Sequence, residues 1–141
     1  MPKVVIGSNG FVQYADDSGL EVNTTVLLAK TPELTTTALT DAATLVDGGL
    51  YTVSAGTAKA LTMPLASSVP GSMFIVRTAS AHAHFLTGSA EAAGTKVFTD
   101  GTSSGSKLAL SAIVGSSVTL VSDGVSFCVS AQSGSLAITG T

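Results

Sequence analysis

The sequence predicts an all-β protein, either an antiparallel β-sandwich or a jelly-roll-like barrel, with an extended N-terminal arm. Short apolar stretches recur at about 8–12-residue spacing and are separated by Gly, Pro and Asp turns. Ser and Thr make up about a quarter of the chain and Gly is abundant, whereas Glu, Lys, Arg and Gln, which favour helices, are scarce. Because no stretch could form a crossover helix, parallel βαβ folds are excluded.

Changes in pattern along the chain predict three regions. Residues 1–45 form an N-terminal arm with its first strands, residues 46–132 form the sandwich or barrel domain, and residues 133–141 form an extended C-terminal tail. In the arm, residues 4–6, 11–14 and 24–28 could be short strands separated by Gly- and Asp-rich turns. Residues 34–45 are rich in Thr and Ala and fit either a short helix or an extended edge segment.

Alternating apolar and polar residues predict the remaining strands. These strands are residues 50–53, 60–63, 73–78, 82–87, 96–98, 107–110 and 117–121, and the last of them enters a hairpin over residues 119–130 whose two strands are joined by Asp123-Gly124. Asp-Gly between apolar alternations predicts a two-residue type I′ hairpin turn, which needs positive φ at both residues. Val69-Pro70-Gly71 predicts a type II turn, with Pro at the second position and Gly at the third.

Charge is the most informative part of the composition. Only 11% of the residues are charged, against about 25% in an average soluble protein. Six basic and nine acidic side chains would share the roughly 6,700 Å² that a compact monomer of this mass exposes. A neutral surface of Ser and Thr would explain this scarcity. We favour the alternative that partner subunits cover much of the surface, because obligate interfaces are depleted of charge.

Several functional classes are disfavoured by the sequence. The net charge is −3 and the basic residues are scattered singly, so we expect no nucleic-acid partner. No apolar run approaches the ~20 residues of a transmembrane helix, and residues 1–7 lack a signal-peptide core, so we expect no membrane partner and synthesis in the cytoplasm. The single Cys128 has no internal disulfide partner and is expected to be a small buried thiol.

His82 and His84 are weak candidate metal ligands. They lie two residues apart on a predicted strand and would share a face, a spacing that metal sites use. No third ligand clusters near them, so solvent- or interface-facing histidines are the favoured interpretation. We therefore predict no metal and no cofactor.

No catalytic residues are predicted, and the protein is expected not to be an enzyme. Asp47, Asp100 and Asp123 adjoin Gly in turns, where aspartate stabilises the turn itself. Asp16, Asp17 and Glu21 could hold a cation loosely, although a solvated loop explains them more simply. The Ser-hydrolase elbow, phosphate loops and dinucleotide fingerprints are absent.

Residues 45–130 contain an ordered set of motifs: Leu-Tyr-Thr-Val, Leu-Thr-Met-Pro-Leu-Ala-Ser, Val-Pro-Gly, an apolar strand ending in Arg77, and Val-Thr-Leu-Val-Ser-Asp-Gly before Phe127. This ordered set resembles a module found in structural proteins of tailed bacteriophages. At Phe127-Cys128 the pattern more often has Trp-Tyr. Modules of this kind occur in head decoration (cement) proteins and in tail fibres, and the resemblance implies a β-structured virion component that is often a homotrimer.

The chain has no repetitive shaft, which favours a capsid decoration protein over a fibre. Such a protein would lie on the capsid surface of the virion, bind across subunits of the major capsid protein, and stabilise the shell. Residues before about Leu45 would contact the capsid protein or a neighbouring copy. The alternative is a tail-fibre or receptor-binding β module that recognises a host surface glycan through exposed aromatic and polar side chains.

Overall fold

The chain divides into two compact units, Met1–Glu33 and Leu34–Thr141. A computed structural model describes residues 4–6, 12–14, 35–89 and 97–140. In the first unit, β1 (Val4–Ile6) and β2 (Val12–Tyr14) lie within the two predicted short strands, and they pair antiparallel. The strand predicted at residues 24–28 and the acidic cluster at residues 16–21 lie outside the described residues.

The second unit is a two-layered β structure, which confirms the all-β prediction. Its described residues contain one helical element, the single 3₁₀ turn Ala66–Ser68. Its strands are β3 (Thr36–Leu39), β4 (Ala43–Thr44), β5 (Gly49–Val53), β6 (Ala60–Met63), β7 (Met73–Thr78), β8 (Phe85–Gly88), β9 (Phe98–Thr99), β10 (Ser104–Gly105), β11 (Lys107–Leu110), β12 (Ser117–Ser122), β13 (Phe127–Ser133) and β14 (Leu136–Thr139).

Two sheets face each other across one apolar core. The seven-stranded sheet has the order β10-β9-β13-β12-β7-β5-β3, and the five-stranded sheet has the order β14-β11-β8-β6-β4. Alternate residues of both sheets point inward and are buried, as half-buried strands require. Phe74 and Phe98 each pack against Phe127, with ring centroids 5.7 and 6.2 Å from it.

Strand pairing is mixed rather than wholly antiparallel, which corrects the sequence-based prediction. From β3 to β8 the chain alternates between the two sheets, so that β3, β5 and β7 run parallel in one sheet and β4, β6 and β8 run parallel in the other. The opposite sheet supplies each crossover, and parallel pairing therefore needs no helix here. Strands β11 to β14 then pair antiparallel within each sheet.

The second unit also includes segments that the sequence-based boundaries assign to the arm and the tail. Strands β3 and β4 are the first two in the series of strands that alternates between the two sheets, and Leu45 is 1% exposed in the core. Within residues 35–45 the structure therefore has two short strands, Thr36–Leu39 and Ala43–Thr44, and no helix. At the other end of the chain, β14 pairs with β11 as a strand of the five-stranded sheet.

The sequence predicts the turn type at two positions, and the structure differs at one of them. The type II turn is confirmed: Gly71 has φ +76°, and the Ser72 N–H donates to the Val69 carbonyl at 3.1 Å. The Asp123-Gly124 turn is not type I′, because Gly124 has φ +87° but Asp123 does not have positive φ. Ser122 pairs with Phe127, so the loop has four residues and is closed by the Asp123 side chain.

Candidate interaction surface

The outer face of the seven-stranded sheet carries apolar side chains where an isolated sandwich would carry polar ones. These residues alternate with the buried ones on four neighbouring strands and are half-buried or exposed. We call the following set the apolar face: Leu50, Met73, Ile75, Val121 and Cys128.

Strand register makes the apolar face continuous. Leu50 lies beside Ile75 across β5 and β7, and Met73 lies beside Val121 across β7 and β12. Val121 in turn lies beside Cys128 across β12 and β13. Because partnered residues point to the same side of a sheet, these five side chains form two adjacent rows.

The apolar face carries little charge, although the Asp123 carboxylate lies at its edge, 3.6 Å from Cys128 Sγ. Among the outward-pointing residues of β5, β7, β12 and β13, Arg77 is the only charged one, and it lies at the end of β7 away from Met73. The outward neighbours of the apolar residues include Thr52 and Thr119. A charge-depleted apolar centre with neutral polar surroundings is the composition of a protein–protein interface core.

A second apolar surface adjoins the first at the end of the sandwich where β5 and β7 begin. Val46, Leu65 and Val125 are 66, 43 and 78% exposed, and Met73, which is 42% exposed, connects them to the apolar face. Pro70 is also exposed there. We call Val46, Leu65, Pro70 and Val125 the apolar end.

Hydrogen bonds hold the loops of the apolar end together. The buried Ser122 hydroxyl donates to the Ala66 carbonyl at 2.8 Å, and the Gly71 N–H donates to the Ser122 carbonyl at 2.9 Å. These bonds tie the loop before β7 to the end of β12. The loop that carries Leu65 and Pro70 is therefore fixed against the end of β12.

The two candidate histidines lie in the loop that precedes β8 and not on the strand itself. His84 is 0% exposed, whereas His82 is half-buried, so they do not share an exposed face. The Lys59 backbone N–H donates to His84 Nδ1 at 3.1 Å. In the neutral ring Nε2 then carries the proton and donates to Ser80 Oγ, 3.0 Å away.

The His84 imidazole is neutral and has a structural role. Burial, followed by the nearby positive charges of His82 and Lys59, lowers the pKa of His84 from its ordinary value of 6.5. Both of its ring nitrogens are engaged, so neither is free to bind a metal. Within the described residues, no three His, Cys, Asp or Glu side chains come together as a metal site.

Two of the predicted turn aspartates stabilise their loops through side-chain hydrogen bonds to the backbone. Asp123 Oδ1 accepts hydrogen bonds from the backbone N–H groups of Val125 and Ser126 at 2.8 and 2.6 Å, and these bonds lower the pKa of the Asp123 carboxyl. Asp100 Oδ1 accepts equivalent bonds from Thr102 and Ser103, and its pKa is lowered for the same reason. Both loops read Asp-Gly-x-Ser.

Asp47 and Cys128 also have structural surroundings. Asp47 accepts a 2.6 Å hydrogen bond from the Tyr51 hydroxyl through its backbone carbonyl. Cys128 was expected to be buried, but it is half-buried on the apolar face, with Sγ 3.6 Å from Asp123 Oδ2.

Comparison with known proteins finds neither a family model nor a curated protein that matches the chain. Among the described residues, no helix is long and apolar enough to cross a membrane. Functional inference therefore depends on the surface itself.

Sequence reasoning missed the apolar face, although one signal for it was present. Residues 73–76 are Met-Phe-Ile-Val, a continuous apolar run instead of an alternating one. Such a run is typical of a strand that is covered on both sides. In the sandwich Phe74 and Val76 fill the core, which leaves Met73 and Ile75 on the outer surface.

Proposed function

We propose that this chain is a non-enzymatic structural protein of a tailed-phage virion, a capsid decoration protein that binds across subunits of the major capsid protein. The single observation that carries the proposal is the nearly uncharged apolar face. A virion subunit that acts by covering its neighbours needs such a surface, because apolar burial drives association while an unpaired charge opposes it. The sequence resemblance over residues 45–130 supplies the virion context.

The size of the apolar face indicates how it would be used. Four strands spaced about 4.8 Å apart and five residues long span about 300 Å² of flat area. A standard interface covers about 800 Å² on each partner, so the face alone would provide less than half of one. The adjoining apolar end extends this surface. Many symmetric copies on one shell would add avidity beyond any single contact, and each would raise the cost of separating capsid subunits.

The position of the aromatic side chains weighs against the glycan-binding alternative. A carbohydrate platform needs exposed aromatic rings, yet Phe74, Phe98 and Phe127 are 0% exposed and Tyr51 is 8% exposed. Among the described aromatic residues of the second unit only Phe85 reaches the outer surface, and its ring is covered by the Lys107 ammonium group 3.9 Å from the centroid.

A matched pair of substitutions tests the proposal. Thr119 and Thr87 are both half-buried and outward-pointing, but Thr119 lies beside Ile75 on the apolar face, whereas Thr87 lies on the outside of the five-stranded sheet. Thr119→Glu should weaken binding to heads assembled without this chain at least tenfold, because it places an unpaired carboxylate in the interface. Thr87→Glu should bind like the wild type.

Co-sedimentation with such heads gives the readout, and circular dichroism checks that both variants fold. Equal binding by the two variants would show that the apolar face is not the contact surface. Failure of the wild-type chain to bind heads would contradict the proposed function.

A further inference from the structure

β3 leaves one side of its backbone open. It is the last strand of the seven-stranded sheet, and among the described strands it pairs only with β5. The carbonyls of Thr35 and Leu39 accept hydrogen bonds from β5 and the residue after it, at 2.9 and 2.8 Å. Because backbone groups alternate in direction along a strand, Thr36 and Ala38 point their N–H and C=O groups away from β5, towards the open edge.

The core is also incompletely covered beside this edge. A pocket of about 290 Å³ lies next to β3, and its lining includes Thr37, Leu39, Leu45 and Val46. Thr37 and Leu39 point inward yet stay half-buried, whereas Tyr51, which is aligned with Thr37, is 8% exposed. Among the described residues, the core is therefore closed as far as β5 and remains partly uncovered at β3.

We infer that the β3 edge and the adjoining pocket bind an extended segment of the capsid subunit, which adds to the seven-stranded sheet as a further strand. This inference rests on the proposed function and identifies how the partner is engaged. An edge strand offers a row of donors and acceptors that only another extended backbone matches along its length. The pocket would receive every second side chain of the incoming strand.

The chemistry of the edge specifies the kind of segment. β3 consists of Thr, Thr, Ala and Leu, and Asp47 is the only charged residue in the lining of the pocket. An uncharged strand with apolar or Thr side chains at alternate positions fits this lining, because a charged side chain would be desolvated there without a partner.

Ala38 allows a test that leaves the β3–β5 ladder intact. Ala38→Pro removes an N–H that faces the open edge, and Pro is tolerated at such positions of edge strands. Ala38→Val is the control, since it adds side-chain volume but keeps the N–H. We expect Ala38→Pro to bind heads assembled without this chain at least tenfold more weakly than Ala38→Val, and both variants to fold.

Hydrogen exchange on the wild-type chain provides a second measurement that needs no variant. The amides of Thr36 and Ala38 should exchange quickly in the free protein and become protected on the heads. Equal binding of the two Ala38 variants, or protection of these amides already in the free protein, would overturn the inference while leaving the proposed function standing.

Two other outcomes would also overturn the inference. If Ala38→Pro changes the sedimentation coefficient of the free protein and Ala38→Val does not, the edge is occupied by a second copy of this chain instead of a capsid segment. If the wild-type chain does not bind heads at all, the proposed function fails and the inference fails with it.

Discussion

The surroundings of His84 give it a structural role, whereas a histidine on an exposed strand would be a candidate metal ligand. On an exposed strand, His82 and His84 would have been candidate ligands. In the loop before β8, the His84 ring instead satisfies the Lys59 N–H and the Ser80 hydroxyl inside the protein. Sequence spacing could not reveal this, because the outcome depends on residues that lie 25 and 4 positions away and are brought together only by the fold.

Protonation of His84 should destabilise the protein. Its pKa is lowered in the folded state, so the unfolded chain takes up the proton first, and the free energy of unfolding falls as the pH drops below the ordinary value of 6.5 towards the folded pKa. The slope should be at most about 1.4 kcal/mol per pH unit. Urea denaturation between pH 7.5 and 5.5 measures it.

The matched variants for this prediction are His84→Ala and His82→Ala. His84→Ala should be less stable at pH 7.5 and should lose most of the pH dependence, whereas His82→Ala should retain it. A wild-type protein whose stability does not change over this range would contradict the assigned role of His84.

At the scale of elements, the β12–β13 connection shows what a turn motif can and cannot predict. Asp123-Gly124 correctly located the hairpin and placed Phe127 in the core. The turn type was wrong because the Asp123 carboxylate accepts two backbone N–H groups, which stabilises a longer loop than Asp-Gly alone requires. The same four-residue pattern at Asp100 is the signal that could have indicated this loop.

A glycine should be required at position 124 because of the backbone conformation and not because a side chain would lack space. An added Cβ would meet only Pro70, at an ordinary contact distance of 3.7 Å, but φ is +87°. Gly124→Ala should therefore lower the free energy of unfolding by about 1–2 kcal/mol.

Gly56 provides the control for Gly124. It does not have positive φ, and an added Cβ there would meet nothing within 4 Å, so Gly56→Ala should change stability by less than about 0.5 kcal/mol. Equal effects of the two substitutions in chemical denaturation would be inconsistent with the loop geometry.

The parallel pairing of the strands from β3 to β8 could not be predicted from the sequence. Strand positions follow from local alternation, and β6, β7 and β11 begin and end where the pattern places them. Pairing direction depends on which sheet each strand enters, and alternation in a single strand does not encode that choice. The apolar face could not be predicted for the same reason, because its prediction requires knowing which side of β7 meets the core.

At the scale of the whole molecule, the boundary between the two units determines which truncation is informative. Removing residues 1–33 leaves the second unit entire, so we expect a folded, cooperatively unfolding protein that no longer binds heads if the N-terminal residues contact the capsid. Removing residues 1–45 also deletes β3, β4 and the buried Leu45, and should lower stability strongly.

Thermal unfolding of the two truncations and their co-sedimentation with heads provide the comparison. Undiminished head binding by the chain that begins at Leu34 would refute the predicted capsid contact of the N-terminal residues. Equal stability of the two truncations would refute the assignment of β3 and β4 to the sandwich.

We propose that this chain decorates a capsid through a nearly uncharged sheet surface. The most direct test is its copy number in purified virions, determined by quantitative mass spectrometry against the major capsid protein. We predict hundreds of copies per particle, as expected for a protein that binds throughout an icosahedral shell. A count of tens or fewer, or absence from the virion, would contradict the claim.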